Sequence, residues 1–463
     1  MHHHVEPHIT YLFLGLLVAM VATLALEEKI HAKKSMITGF FAVICLLTGA
    51  LFHIFPEAEV AVPFVDGIIP DWAKDHAIHL PIYIPAIEWE VIAIILGSSL
   101  FIDVVSRSGI FSWIAIRLTK LSGGDPFKLL LYYSLLTVVF SAVLNNVTAM
   151  IIVGSLTAVS LSKLDRRDLL LGFLLTLGLL TNIGGLLTLI SSVPNIILGN
   201  KAGISFVTFF IVAAPYTVLA TALTIALAVV FFKIKPLESE HDRRTAAELV
   251  ATFDENDGIE SPSFFKLSWA MLVLFIALIA TTSVMPYIKD LGMGYVAVSF
   301  GILAMIRYKH EVDKNYSALD WDLLAFFAYL FVVINTMEHA QVLHLIGEGI
   351  GKLLELGDLA GGASLLWAGA IASSVTDNVP LAAIMANILD TAKADPGYWW
   401  ATIFGTNLGG NFSPIGSAST VVAVAIIHKN KLSLSFGKFV AKAAPFAVAQ
   451  LILATAYVLL FLR

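Results

Sequence analysis

The chain has 463 residues, of which 58% are hydrophobic and only 13% are charged, and its mean hydropathy is +0.87. Soluble domains carry about 25% charged residues, so this composition excludes a soluble globular protein. The formal net charge of −6 points to no particular partner, since orientation in a membrane depends on where Lys and Arg lie. We expect an integral membrane protein whose surroundings are the lipid bilayer and which binds no nucleic acid.

Two apolar runs open the chain, at residues 9–26 and 36–55, and each is about long enough to cross the hydrocarbon core as a helix. The short loop between them carries Lys29, Lys33 and Lys34. Positive residues in short loops stay on the cytoplasmic side, so the N-terminus is predicted outside. The full pattern predicts ten crossings and two hairpins, which places the C-terminus outside as well.

The first half continues with a predicted span at residues 86–105 and then with residues 109–121, which are too short to span and predict a helix along the cytoplasmic surface. Residues 126–161 are too long for one span and too short for two. A re-entrant hairpin that enters from the cytoplasm and returns to it fits this length. The next helix, at residues 169–198, is interrupted by polar residues and glycines at 181–185.

The long polar segment at residues 233–266 predicts a flexible cytoplasmic linker. Beyond it the same order of elements returns, with spans, a second surface helix, a hairpin at residues 359–389 and a broken helix at residues 398–427. Basic loops assign this second set the opposite orientation. We therefore predict an all-α polytopic membrane protein built from two inverted repeats, each with a re-entrant hairpin and a broken transmembrane helix.

Polar clusters occupy matching places in the two halves. Asn146 and Asn378, at the hairpin tips, are 378 − 146 = 232 residues apart, and Thr181 and Thr406, at the helix breaks, are 406 − 181 = 225 apart. A helix that stops inside a membrane exposes unpaired backbone groups, which are tolerated only in protein or beside a wet cavity. Interrupted segments in matching halves are typical of the binding site of a secondary transporter near the midplane.

Asp377 is the one carboxylate in these clusters. A carboxylate inside a membrane is costly and indicates function. It can bind Na⁺ through its oxygens, or it can hold a proton once it is withdrawn from water. Asp103 and Glu338 lie near span ends, where a role in ion access and a plain surface position are equally expected.

Several motifs resemble those of the ion transporter superfamily. They are Thr-Asn-Ile-Gly-Gly from Thr181, Val-Pro-Asn-Ile-Ile from Val193, Asp-Asn-Val-Pro from Asp377, Asn-Leu-Gly-Gly-Asn from Asn407 and Ser-Pro-Ile-Gly from Ser413. This superfamily includes NhaD-type sodium/proton antiporters, ArsB-type arsenite permeases, the melanosomal P protein and, more distantly, sodium/dicarboxylate symporters. The resemblance covers the chain from about residue 86 to the C-terminus.

The resemblance implies an elevator-type transporter, usually a homodimer, and we expect it in a prokaryotic inner membrane. The implied parts are the scaffold at 1–106 and 267–338, interfacial helices at 107–124 and 339–358, the transport parts at 125–232 and 359–463, and the linker at 233–266. The ion or substrate ligands that the resemblance implies are Asn145, Asn146, Thr148, Thr181, Asn182, Asp377, Asn378, Thr406, Asn407 and Ser413.

Two functions follow from these residues. The leading hypothesis is Na⁺(Li⁺)/H⁺ antiport, with Asp377 as the cation and proton site. The alternative is Na⁺- or H⁺-coupled transport of an anion such as arsenite or a dicarboxylate, and it gains from Asn145, which stands where the antiporter pattern tends to have an aspartate. Neither hypothesis needs a cofactor beyond the coupling ions. A catalytic constellation is missing from the sequence, so an enzyme is not expected.

Overall fold

The computed structural model describes residues 5–55, 59–60, 78–79, 81–144, 146–306, 309–375, 378–414, 416–432 and 434–462. Within these ranges the regular secondary structure is helical apart from two short antiparallel strands, β1 (Glu59–Val60) and β2 (Ile78–His79). Eleven helical segments in the described part of the chain are long and apolar enough to cross a membrane. The protein is therefore an all-helical, polytopic integral membrane protein, as predicted.

The helices in chain order are α1 (Pro7–Ala25), α2 (Glu27–Ile30), α3 (Lys34–Leu51), α4 (Trp89–Ser106), α5 (Ile110–Ser122), α6 (Pro126–Val143), α7 (Asn146–Lys163), α8 (Leu170–Gly184), α9 (Val193–Lys201), α10 (Phe206–Phe231), α11 (Glu240–Ala251), α12 (Pro262–Thr281), α13 (Ile288–Ile306), α14 (Val312–Ala318), α15 (Trp321–His339), α16 (Val342–Leu354), α17 (Gly357–Val375), α18 (Asn378–Thr391), α19 (Pro396–Gly409), α20 (Ala418–Lys429) and α21 (Phe436–Phe461). Short 3₁₀ turns lie at Arg167–Leu169, Leu189–Ser191 and Lys309–Glu311.

The chain divides into two compact units, of which the smaller comprises Met1–Ile92 and Asp320–Gly349. Its main contact joins α3 and α15. A Cβ on Gly39 of α3 would lie 3.0 Å from the ring of Tyr329 on α15, so the glycine lets these two helices approach closely. The hydroxyl of Ser35 also donates to the Asp322 carboxylate at 2.5 Å.

The larger unit comprises Ala93–Leu319 and Ile350–Arg463, and α8 and α19 form its centre. Nearly every residue of both helices is buried. A helix that is apolar on all sides has no solvent face and packs on all sides. The helices α6, α7 and α20 surround α8, whereas α17, α18 and α21 surround α19.

The hairpins and the helix breaks begin and end close to the predicted positions. The first hairpin joins α6 to α7 and the second joins α17 to α18. The first broken helix consists of α8 and α9, and the second of α19 and α20. Since α6 and α7 each have 18 residues and could each cross a membrane by length and composition, the re-entrant course of this hairpin stays a prediction.

Glycines let both broken helices touch the preceding hairpin. A Cβ on Gly184 would lie 2.7 Å from the Val138 carbonyl oxygen, and one on Gly409 would lie 2.4 Å from that of Ala370. Both distances are shorter than a side-chain carbon tolerates. The glycines are 409 − 184 = 225 residues apart and the carbonyls 370 − 138 = 232, which are the offsets found in the sequence.

The long helices α10 and α21 also match each other. Each has 26 residues and begins after a serine that caps it, Ser205 or Ser435. Each contains one proline, Pro215 or Pro445. Both pairs are 230 residues apart, since 435 − 205 = 230 and 445 − 215 = 230. Residues of α10 and α21 can therefore be compared at this offset.

The polar segment between the two halves differs from the predicted flexible linker, because it contains a docked helix. The amphipathic α11 buries Ala246 and Val250, which lie one turn apart. The carboxylate of Asp125, which caps α6, accepts a hydrogen bond from the Leu237 backbone N–H at 2.8 Å. The prediction weighed only the charges of this segment and overlooked its apolar stripe.

Candidate transport site

Acceptor oxygens gather at the first helix break. The Ser141 hydroxyl lies 2.5 Å from Asn146 Oδ1 and 2.6 Å from the Thr181 carbonyl oxygen. One hydroxyl has one proton, so it satisfies only one of these two acceptors. A Cβ on Gly185 would lie 2.8 Å from the Asn146 amide, so the glycine allows this amide to reach the break. The Thr181 carbonyl oxygen also accepts from the Gly185 backbone N–H at 2.8 Å, so oxygens of Ser141, Asn146 and Thr181 lie together at this break.

The second break repeats part of this arrangement. The hydroxyl of Ser373 donates to the Thr406 carbonyl oxygen at 2.6 Å, as Ser141 does to Thr181. The Ser413 hydroxyl donates to the Ser374 carbonyl oxygen at 2.7 Å and so ties the segment after the break to the second hairpin.

Hydrogen bonds also interlock the two breaks. The amide of Asn182, at the end of α8, donates to the Ser417 hydroxyl at 3.0 Å. The hydroxyl of Ser192 donates to Asn407 Oδ1, near the end of α19, at 2.8 Å. Each serine immediately precedes the second half of a broken helix, and 417 − 192 and 407 − 182 both equal 225. The two broken helices therefore exchange equivalent contacts.

Both amide N–H groups of Asn407, and both of Asn195, donate hydrogen bonds to protein oxygens. Asn407 Nδ2 donates to Asn195 Oδ1 and to the Ile403 carbonyl oxygen, both at 2.8 Å. Asn195 Nδ2 donates in turn to the carbonyl oxygens of Gly185 at 2.6 Å and Thr188 at 2.9 Å. Each amide has two N–H groups, so neither asparagine keeps a donor for a ligand.

The amide N–H groups of Asn182 and Asn411 donate to protein oxygens in the same way. Asn182 Nδ2 donates to Asn411 Oδ1 at 2.8 Å as well as to Ser417. Asn411 Nδ2 donates to the Leu179 carbonyl oxygen at 3.2 Å and to Gln450 Oε1 at 2.8 Å. Asn182 and Asn411, like Asn195 and Asn407, therefore use both amide N–H groups on protein oxygens.

The structure places the predicted ligands unevenly. The side chains of Asn146, Asn182, Asn407 and Ser413 take part in these clusters. Thr181 and Thr406 contribute their carbonyl oxygens instead, because their hydroxyls donate to carbonyls of their own helices.

The remaining predicted ligands are at the hairpin tips. Thr148 is half-buried in the first turn of α7, and Asn378 is the half-buried first residue of α18. Asn145 and Asp377 lie outside the described residues.

The two candidates for ion access are at helix ends. Asp103, in the last turn of α4, forms an ion pair with Arg107, which directly follows that helix, with 2.9 Å between Oδ2 and Nη2. Glu338 is exposed near the end of α15, which belongs to the smaller unit. Their role in ion access stays a prediction.

Sequence reasoning missed several members of the clusters. They are Ser192, Asn195, Asn411, Ser417, Ser419 and Gln450. The 225-residue offset between Ser192 and Ser417 was available as a signal, and Asn195 and Asn411 fall inside the motifs quoted above. Gln450 gave no local signal beyond being a polar residue in an apolar span.

The clusters contain neutral side chains. In the described ranges, no group of three or more His, Cys, Asp and Glu side chains could hold a metal ion. None of the cluster residues identified above carries a positive charge.

Residues 76–403 match the family model described as CitMHS, citrate transporter. An uncharacterized transporter of Mycobacterium tuberculosis is 28% identical over 379 residues, which are 80% of this chain and 86% of the relative. The human P protein is 25% identical over 456 residues, with 81% of this chain and 53% of the P protein covered.

Two solved structures share the fold. The YdaH transporter of Alcanivorax borkumensis superposes with a TM-score of 0.61 at 13% identity, covering 93% of this chain and 98% of YdaH. MtrF of Neisseria gonorrhoeae, described as illuminating a class of antimetabolite efflux pumps, superposes with a TM-score of 0.55 at 15% identity, covering 93% and 95%.

Proposed function

Because the chain belongs to the CitMHS citrate transporter family and is thus a secondary transporter, we propose that it exchanges Na⁺ or Li⁺ for protons. The cation would bind at the first helix break, beside Ser141, Asn146 and Asn182. Asp377, which lies in the sequence between the two helices of the second hairpin, would supply the charge and the proton.

The balance of donors and acceptors in the site carries this proposal. The amide N–H groups of Asn182, Asn195, Asn407 and Asn411 all donate to protein oxygens. Ser141, with one proton, faces two acceptors. The first break thus brings together the oxygens of Thr181, Asn146 and Asn182, and neutral carbonyl and amide oxygens suit a hard cation such as Na⁺.

One carboxylate that binds either Na⁺ or a proton gives exchange by competition. A protonated Asp377 cannot hold Na⁺, so exchange should be slow at acid pH and should rise as the proton is lost. The cation and the proton would then cross in opposite directions on the same site.

We further propose the elevator mechanism, with the hairpins and broken helices moving as one body. The interlocking hydrogen bonds between Asn182 and Ser417 and between Asn407 and Ser192 support a common moving body. Contacts repeated at offsets of 225 and 232 support two repeats, which the charges of the loops make inverted. A homodimer in a prokaryotic inner membrane, with both termini outside, completes the proposal.

A carboxylate anion is the second candidate cargo. The description of the family as citrate transporter favours it. Ser192 and Ser417, which precede α9 and α20, take part in the hydrogen bonds of the site, and helix N-termini attract anions. In this case the first break would hold the coupling Na⁺ and the anion would bind beside it.

Flux in proteoliposomes separates the two candidates. The purified protein is reconstituted with a pH-sensitive dye inside, and Na⁺, Li⁺, K⁺ and then citrate are added in turn. Antiport predicts that Na⁺ and Li⁺ move protons without citrate, whereas K⁺ does not. Uptake of labelled citrate without cation-driven proton movement would replace antiport by anion transport.

A further inference from the structure

The last helix reaches the site through one buried side chain. Gln450 on α21 is 0% exposed and accepts a hydrogen bond from Asn411 at 2.8 Å. Its own amide donates to the Thr224 hydroxyl on α10 at 2.9 Å. A polar side chain inside a membrane is costly and indicates a role beyond packing. Together Thr224, Gln450 and Asn411 form a relay that ends at Asn182.

This relay breaks the match between the two halves. At the 225-residue offset Asn411 corresponds to Leu186, and at the 230-residue offset Gln450 corresponds to Ala220. By contrast, Asn182 has a like partner in Asn407, and Ser192 has one in Ser417. Among the described residues, this connection thus reaches the Asn182 side and has no counterpart at the matching position of the other half.

The relay determines which way the amides face. The Leu179 carbonyl oxygen can only accept, so Asn411 turns its Nδ2 toward it and toward Gln450 Oε1. Asn411 Oδ1 must then face Asn182 Nδ2. Asn182 in turn directs its Oδ1 toward Asn146 Nδ2, at 3.5 Å, and accepts from Ser419 at 3.1 Å.

We infer that Gln450 is a positioning residue, which acts through Asn411 to keep the Asn182 oxygen turned toward the first helix break and so raises the affinity for Na⁺. This inference rests on the proposed cation site. Without Gln450, the shorter of the two bonds that orient Asn411 is lost. Asn411 and Asn182 can then turn over together, which presents an N–H group where the cation needs an oxygen.

Three variants test the relay. Gln450→Leu removes the acceptor and puts an apolar side chain of similar size in its place. Gln450→Glu keeps an oxygen toward Asn411. Tyr457→Phe is the matched control, because it removes one hydrogen bond from α21 to the Val212 carbonyl oxygen on α10 without touching the relay.

Two readouts are measured on each purified protein. The first is the Na⁺ concentration that half-maximally raises Tm, with choline chloride as the salt control. The second is the KM and maximal rate of Na⁺-driven proton movement in proteoliposomes. In Gln450→Leu, the Na⁺ concentration for the half-maximal rise in Tm and the KM for Na⁺ should both increase about tenfold, which is the effect of losing one hydrogen bond. The maximal rate should change less than about twofold. Gln450→Glu and Tyr457→Phe should stay within about threefold of wild type.

The outcomes separate the relay from the proposed function. The relay is overturned if Gln450→Leu has the same Na⁺ midpoint as wild type, or if Gln450→Leu and Tyr457→Phe lose Na⁺ affinity to the same extent. Antiport stands in either case. A wild type that binds Na⁺ without moving protons overturns antiport, and the Tm midpoints then still decide the relay. A wild type that responds to Na⁺ in neither readout overturns both.

A double variant gives an independent check. Asn411→Leu interrupts the relay one step closer to Asn182, so Asn411→Leu combined with Gln450→Leu should raise the Na⁺ midpoint no further than Asn411→Leu alone. Additive effects would mean that Gln450 acts on the site by another route.

Discussion

The contact between α19 and the second hairpin predicts a specific effect of Gly409→Ala. The added methyl group would lie 2.4 Å from the Ala370 carbonyl oxygen and 2.7 Å from Ser373 Cβ. An ordinary contact needs at least 3.4 Å, so α17 and α19 would have to separate by 3.4 − 2.4 = 1.0 Å. The carbonyl oxygen belongs to the backbone and cannot move aside alone.

The cost follows from this separation. Overpacking of a tight contact costs about 1–3 kcal/mol of the free energy of unfolding. The same movement would stretch the 2.6 Å bond from Ser373 to the Thr406 carbonyl oxygen past hydrogen-bonding range, which costs about another 1 kcal/mol. The better helix propensity of alanine offsets about 1 kcal/mol at most. We expect a net loss of about 1–3 kcal/mol.

Gly369→Ala is the matched control. Gly369 lies on α17 against the same helix α19, but the nearest heavy atom to its added methyl is Thr406 N at 3.7 Å, an ordinary contact. This variant should keep or slightly raise the stability. It therefore separates the effect of the close approach from that of any glycine lost at this interface.

Both variants are compared by thermal unfolding in detergent and by Na⁺-driven proton flux, normalised to the inserted protein. Gly409→Ala should lower Tm and reduce flux by about tenfold or more, since displacements of about 1 Å at a working site commonly cost this much. Equal Tm and flux in Gly409→Ala and Gly369→Ala would refute the argument that glycine is needed for this contact.

The remaining predictions concern charge and orientation. Asp377→Asn should abolish Na⁺-dependent proton movement in proteoliposomes, while Asp377→Glu should shift its pH profile; proton movement that survives in the asparagine variant would exclude Asp377 as the exchange site. Asp242→Cys should react with an impermeant thiol reagent only after the cells are opened, whereas Lys393→Cys should react in intact cells; the reverse pattern would contradict the inverted topology. A hydrogen bond from Lys120 holds the pKa of Glu255 below its usual value, so this pair should stabilise the docked linker above the ordinary titration range of glutamate and lose that effect as pH falls through the lowered pKa. Lys120→Met should therefore make the linker easier to cleave at neutral pH, and cleavage at the wild-type rate would show that the pair does not hold it.

The sequence alone predicted the features that depend on local pattern. The length of an apolar run decides whether a helix can cross a membrane, so most spans, such as α10 and α21, could be located. Glycines and polar residues interrupt a helix wherever they occur, so the ends of α8 and α19 could be placed within a few residues. The matching offsets of the two halves required only that similar motifs be aligned.

The tertiary structure decided which groups face one another. Thr181 and Thr406 stand in the predicted motifs, yet their hydroxyls bind carbonyls of their own helices and only their backbone oxygens meet the hairpins. Gln450 lies 39 residues beyond Asn411 and is brought to it by the packing of α21 on α19. Spacing along a chain determines which residues share one helix face, but the rotation and contact of one helix against another determine which donors find which acceptors.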